Sequence, residues 1–150
     1  MKEEVYNFLR EYGFTKEEVK SFQEENEKMF FTTIEEITKN IKFLENKNLT
    51  KEEIMTVLKN NPFMITEKNN RLDYLDKIYI EDLKMDTNTI KELIIKNNET
   101  YTASPIQLEK IINHLKEHNC TIETIKNFII NNPSVIIMDF IEYEKLVKFN

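Results

Sequence analysis

The sequence predicts an all-α fold built from stacked helical repeats, and three observations carry that prediction. First, the 150 residues contain one glycine and three prolines beside 40% hydrophobic and 32% charged residues, so hairpin turn signals are nearly absent and helix breakers are scarce. Second, apolar residues fall at i, i+3 and i+4, the stripe of a helix with one buried face. Third, the pattern recurs. With Ile54 as anchor, the counterparts Val19, Ile90 and Ile125 follow at separations of 35, 36 and 35 residues. Four residues before each anchor stand Thr15, Thr50, Asp86 and Thr121, all good helix N-caps. Seven after it stand Asn26, Asn61, Asn97 and Asn132, with proline next in the second and fourth units.

The clearest copy is TKEEIMTVLKNNPFMIT, Thr50 to Thr66. Thr50 and Glu53 spell a capping box, each side chain taking the other's backbone amide. Ile54, Val57 and Leu58 form the buried stripe. Asn61-Pro62 ends the helix, because proline disfavours a helical residue before it, and Phe63-Met64-Ile65 is an apolar turn expected to tuck under the helices.

From the N-terminus, Val5, Phe8, Leu9 and Tyr12 make the first stripe, and Gly13 ends it with its freedom to adopt positive φ. Asn48 and Asn119 hold the equivalent place, while Lys84 departs from it. Thr15 and Glu18 box the helix of Val19 and Phe22, which ends near Asn26 before Met29-Phe30-Phe31. Thr33 to Glu36 repeats the capping spelling and opens a helix whose expected buried face is Ile34, Ile37, Ile41 and Leu44. Thr66 is the expected cap for a helix carrying Leu72, Leu75, Ile78, Tyr79 and Leu83. One extra residue precedes Ile90, so the third unit is expected to be the least regular. It continues through Leu93 and Ile94 to Asn98 and Thr100-Tyr101-Thr102-Ala103. Ser104-Pro105 then supplies a cap and a first-turn proline, opening the stripe Leu108, Ile111, Ile112 and Leu115. Thr121 to Asn132 is the last unit's second helix. After Pro133 to Ile137, Asp139 caps a terminal helix through Tyr143, Leu146 and Val147, expected to cover the open end of the stack.

Length fits one domain, residues 1–150. A single cysteine, Cys120, excludes an internal disulfide and cannot alone make a zinc site, which makes the cytoplasm the default compartment. The start, MKEEVYNFLREYGF, has neither the basic, apolar build of a signal peptide nor the acid-poor build of a transit peptide. No apolar run is long enough to cross a bilayer. The net charge of −6 divides into −3 for residues 1–34, 0 for 35–66, −2 for 67–103 and −1 for 104–150. No segment is basic, and Arg10 and Arg71 are the two arginines.

A helix, a Gly/Asn turn, a Thr-capped helix and then N-P-x and two apolar residues resembles the repeats of mitochondrial transcription termination factor-like (mTERF-like) proteins. The closest segments are NLTKEEIMTVLKNNPFMI and NCTIETIKNFIINNPSVII. The resemblance spans about four units and implies a curved, right-handed α-solenoid of three-helix repeats with nucleic acid on a basic concave face. Asn98 and Glu27 stand where that pattern has proline, and the basic character is missing. Tetratricopeptide repeats have a similar length, but their tryptophan, glycine and alanine signature is absent.

Lys20, Lys91 and Lys126 each follow an anchor by one residue, so stacked units would align them into a ladder able to meet phosphates. Glu17 and Glu123 lie three residues before Lys20 and Lys126, which favours ordinary surface ion pairs instead. The pairs Glu17/Glu18, Glu35/Glu36 and Glu52/Glu53 sit in first helical turns, where they complement the helix dipole. His114, His118 and Cys120 invite a zinc reading. However, His114 shares its column with Phe8, Phe43 and Tyr79, and Cys120 shares its own with Phe14 and Leu49, so packing is favoured. No phosphate-binding glycine loop, dinucleotide loop or nucleophile elbow is present. The sequence therefore predicts a non-enzymatic binding module without a cofactor. Its acidity favours a protein partner, with nucleic acid as the alternative, met through Lys20, Lys91 and Lys126.

Overall fold

The computed structural model describes residues 1–149. Among them every regular element is helical: α1 (Glu3–Tyr12), α2 (Lys16–Glu25), α3 (Ile34–Asn46), α4 (Lys51–Asn60), α5 (Asn69–Asp76), α6 (Thr87–Lys96), α7 (Pro105–Glu117), α8 (Ile122–Asn131) and α9 (Phe140–Leu146). Short 3-10 turns occupy Glu27–Phe30, Pro62–Thr66 and Pro133–Ile137. The chain forms two compact units, Met1–Lys68 and a second beginning at Asn69.

Within both units the same local grammar sets the helix starts. Thr15, Thr50, Asp86 and Thr121 are extended, with φ between −85° and −74° and ψ between 162° and 172°, and each side chain accepts the amide three residues on. Full capping boxes form at Thr15–Glu18 and Thr50–Glu53. Thr33 also caps, but Glu36 turns instead to the Thr32 hydroxyl at 2.9 Å. The anchors Val19, Ile54, Ile90 and Ile125 are at most 1% exposed, so each helix is fixed by a cap at its start and a buried side chain one turn later.

The turns before those helices follow one rule. Gly13, Asn48, Lys84 and Asn119 all have positive φ, at 133°, 66°, 57° and 64°. In the first, second and fourth of these turns a closing amide reaches back five residues: Phe14 to Leu9, Leu49 to Leu44 and Cys120 to Leu115. In the third, Met85 reaches back six, to Tyr79, at 3.0 Å. The extra residue is therefore housed in a π-helical stretch, Lys77–Asp82, that continues α5. A π turn absorbs one residue without unwinding the helix, and here it keeps Ile78, Tyr79 and Leu83 buried.

Two asparagines of the column, Asn26 and Asn97, each join one helical hairpin to the next within their own unit. In the first unit Asn26 donates through Nδ2 to the Pro62 carbonyl (3.0 Å) and Thr66 Oγ1 (2.9 Å), and its Oδ1 accepts the Lys28 amide (3.1 Å). In the second unit Asn97 donates to the Pro133 carbonyl (2.9 Å) and accepts the Glu99 amide (3.0 Å). Asn40 adds bonds to the carbonyls of Met64, Ile65 and Glu67 at 2.9–3.1 Å. The second unit uses tyrosines and an arginine for such bonds. Tyr79 donates to the Thr100 carbonyl and Tyr101 to Asp76, both at 2.6 Å, while Arg71 reaches the Ala103 carbonyl at 2.8 Å.

Three expectations are corrected. Thr66 does not cap α5; it ends a 3-10 turn and spends its hydroxyl on Asn26, and α5 starts at Asn69. The apolar turns are only half tucked in. Met29, Met64 and Ile65 are buried, but Phe30, Phe31 and Phe63 are 46%, 81% and 54% exposed. In α9, Tyr143 is buried whereas Leu146 is 48% exposed.

Candidate functional site

The lysine column is placed by the caps and anchors. Lys20 lies on α2, Lys91 on α6 and Lys126 on α8, each directly after a buried anchor. Lys20 is exposed, and its Nζ lies 3.9 Å from Glu24 rather than against Glu17. Lys126 is largely covered and sits 3.0 Å from Glu123, as the spacing suggested. Lys91 is half-buried. The Thr89 amide and hydroxyl, with Lys126 behind them, hold the Asp86 carboxyl below its ordinary value, so Lys126 faces two carboxylates.

Other lysines of the first unit are similarly engaged. Lys39 pairs with Glu35 at 3.8 Å and Lys59 with Glu18 at 3.4 Å. Lys51 lies over the Tyr12 ring at 4.8 Å and Lys47 over the Phe43 ring at 5.0 Å. The Thr15 amide, ahead of Lys59, holds the Glu18 carboxyl below its usual range. Exposed ion pairs such as Lys39–Glu35 contribute about 0–1 kcal/mol. Their consequence is electrostatic: a lysine paired with a carboxylate presents little field to a distant polyanion.

Of the His/Cys group, His114 and His118 make local contacts. His114 Nδ1 lies 2.9 Å from the Tyr143 hydroxyl, its ring meets Phe140 and Tyr143 edge-on, and His118 Nδ1 lies 3.0 Å from the His114 carbonyl while its ring stacks on Phe149 at 3.9 Å. Among the described residues no three His, Cys, Asp or Glu side chains converge on a possible metal position. Burial pushes the Tyr143 phenol up to about 12, and burial also raises Tyr79 and Tyr101. Tyr79 and Tyr101 are structural donors.

What the spacing alone did not reveal is the exposed side of the first unit's two 3-10 turns. There Lys28, Phe31 and Phe63 face solvent, on turns that Asn26 ties together. The signal was present as the asparagine column, which reads as punctuation until its three bonds are seen.

Comparison with known proteins places this architecture. The family model described as mTERF matches residues 1–96, nearly two thirds of the chain. The mitochondrial transcription termination factor 3 of Mus musculus is 23% identical over 93 residues, which is 62% of this chain and 23% of that protein. Its Rattus norvegicus counterpart matches at the same identity and coverage. The chain thus spans less than a quarter of the length of these relatives.

Proposed function

The chain belongs to the mTERF family, and from that we propose that it is a non-enzymatic, nucleic-acid-binding helical-repeat module. The single observation carrying the proposal is the family match across residues 1–96. The preference for a protein partner rests on the acidic net charge and the scarcity of arginine, and the family match does not support it. The names of the rodent relatives refer to transcription termination. Since the chain spans 23% of their length, the proposal takes from them a nucleic-acid partner and no particular step of termination.

In this reading the four cap-to-cap segments are consecutive repeats of a right-handed curved solenoid, residues 1–150 act as one domain, and α9 closes the last repeat. The matching cap angles and the Asn-to-Pro bonds, each joining residues 36 apart, support that reading. Lys20, Lys91 and Lys126 are the proposed phosphate contacts. Because Lys20 and Lys126 already face carboxylates, their contribution is small.

The test is a titration of labelled duplex and single-stranded DNA and RNA at low and physiological salt. Saturable binding is expected. Neutralising Z phosphates of a duplex gives a log–log salt slope of about −0.9Z, so a slope near that of three phosphates that flattens in a Lys20/Lys91/Lys126 triple alanine variant would assign the ladder. No binding to any of the four nucleic acids at low salt would overturn the proposal.

A further inference from the structure

We propose that His114 and His118 form a two-imidazole site for one divalent transition-metal ion, of the zinc, copper or nickel class, at the end of α7. The site lies in the second compact unit and is independent of the nucleic-acid reading.

The two histidines stand in the last turn of α7 and at its C-cap, and residues with that i, i+4 spacing are neighbours on one side of a helix. Their ring centres lie 4.5 Å apart, with the planes inclined at 57°. Two imidazoles that grip one ion through nitrogens about 2.0–2.1 Å from it stand at roughly that spacing. Each ring is also held through Nδ1. His118 Nδ1 lies 3.0 Å from the His114 carbonyl, and His114 Nδ1 lies 2.9 Å from the Tyr143 hydroxyl. A carbonyl only accepts, so a neutral His118 carries its proton on Nδ1 and presents a lone pair at Nε2. A hydroxyl serves either tautomer, so His114 can present the same. An imidazole oriented through one nitrogen, with the other turned to the ion, is the arrangement that ligating histidines use.

Neither Nε2 has a hydrogen-bond partner among the described residues, and neither is sealed from water. His118 is exposed and His114 half-buried. Aromatic rings brace the pair: His114 meets Phe140 and Phe149 edge-on at 5.3 Å, and Phe149 stacks on His118 at 3.9 Å. Rings braced in this way lose little freedom when an ion arrives, which lowers the ordering cost of binding. Packing alone does not call for imidazole, since the column of His114 holds Phe8 and Phe43 in the first unit.

The donor set selects the ligand. Imidazole suits zinc, copper and nickel, whereas calcium and magnesium take oxygen donors. No third His, Cys, Asp or Glu joins the pair among the described residues, so Cys120 takes no part. The remaining coordination positions fall to water or an incoming donor, and the ion is held more loosely than in a closed site of four protein ligands. An ion on both rings would tie the end of α7 more firmly to Phe140, Tyr143 and Phe149, which those rings already touch.

The experiment titrates Zn2+ into the full chain by calorimetry, follows thermal unfolding with and without it, and records the electron paramagnetic resonance spectrum with one equivalent of Cu2+. One ion per chain is expected, with a raised unfolding midpoint and a copper spectrum that shows two coupled nitrogens. Tyr143→Phe, which removes only the hydroxyl holding Nδ1, should weaken binding roughly tenfold. His118→Ala, at an exposed position, and His114→Phe, the residue type of its own column, should each weaken it further. Cys120→Ser should leave it unchanged, and excess Ca2+ should not displace the Zn2+. Binding that survives both histidine variants, that is lost in Cys120→Ser or that Ca2+ displaces overturns the site, as does failure of both Zn2+ and Cu2+ to bind.

Discussion

At the scale of single residues, the asparagine column is where local and tertiary structure meet. Asn26 is 1% exposed and makes three bonds with a side chain that offers two donors and one acceptor oxygen. Asn26→Ala would remove all three together, leaving the Lys28 amide and the Thr66 hydroxyl to find other partners. Each buried polar group left unpaired costs about 1–3 kcal/mol, so denaturant unfolding of Asn26→Ala should show a loss at or above that range. Asn132 is the informative contrast. Its Nδ2 turns back to the Phe128 carbonyl of its own helix at 3.0 Å, and Asn132→Ala should be clearly milder. Equal losses at the two sites would mean that the bond from hairpin to hairpin contributes nothing special.

At the scale of elements, the starts and stops of the helices contribute separately. Thr50→Ala removes the acceptor for the Glu53 amide (3.2 Å) and the reciprocal box, at an expected loss of about 1 kcal/mol; Thr50→Ser should recover most of it. The turn after the π-helical stretch offers a gain instead. Lys84 sits at φ 57°, a left-handed conformation that costs a non-glycine residue roughly 1 kcal/mol or more. Lys84→Gly should therefore raise the unfolding midpoint, read by circular dichroism. Gly13→Ala should lower it, both for its φ of 133° and because an added Cβ would lie 3.1 Å from the Met55 Cε. If Lys84→Gly is neutral, the entropy that glycine adds to the unfolded chain has offset the relief of strain.

At the scale of the whole molecule, pH reads out the buried network. The Tyr79 and Tyr101 phenols are raised by burial from an ordinary value of 10.0, with Asp76 adding to the effect. A raised phenol binds its proton more tightly folded than unfolded, so its contribution is fully present below pH 10 and is lost as pH rises through the folded value. Glu18 and Asp86 behave oppositely: their carboxyls are depressed from 4.5 and 3.8, and the stability they add is present above those values and lost as pH falls below them. Stability should therefore be flat between about pH 5 and pH 9. Alkaline unfolding should coincide with the appearance of phenolate absorbance. Phenolate signal that rises near pH 10, well ahead of any loss of helicity, would show that these hydroxyls are not held by the fold.

Local chemistry was legible in the sequence because it is written in neighbours. A cap needs a threonine and an amide three residues away, and Thr15, Thr50 and Thr121 supply it wherever the chain goes. The 35-to-36-residue recurrence, the irregular third unit and the buried anchors follow from the same short-range periodicity. The mTERF match agrees with that reading. What required the tertiary structure were choices between partners distant in sequence. Thr66 looks like any other cap, yet Asn26, 40 residues away, takes its hydroxyl. Phe63 looks like its neighbours Met64 and Ile65, which are buried, yet its own ring is 54% exposed. In this segment the competing options differ by no more than a hydrogen bond or a rotamer, so its own sequence leaves them nearly equal, and packing against the preceding hairpin, through Asn26, decides.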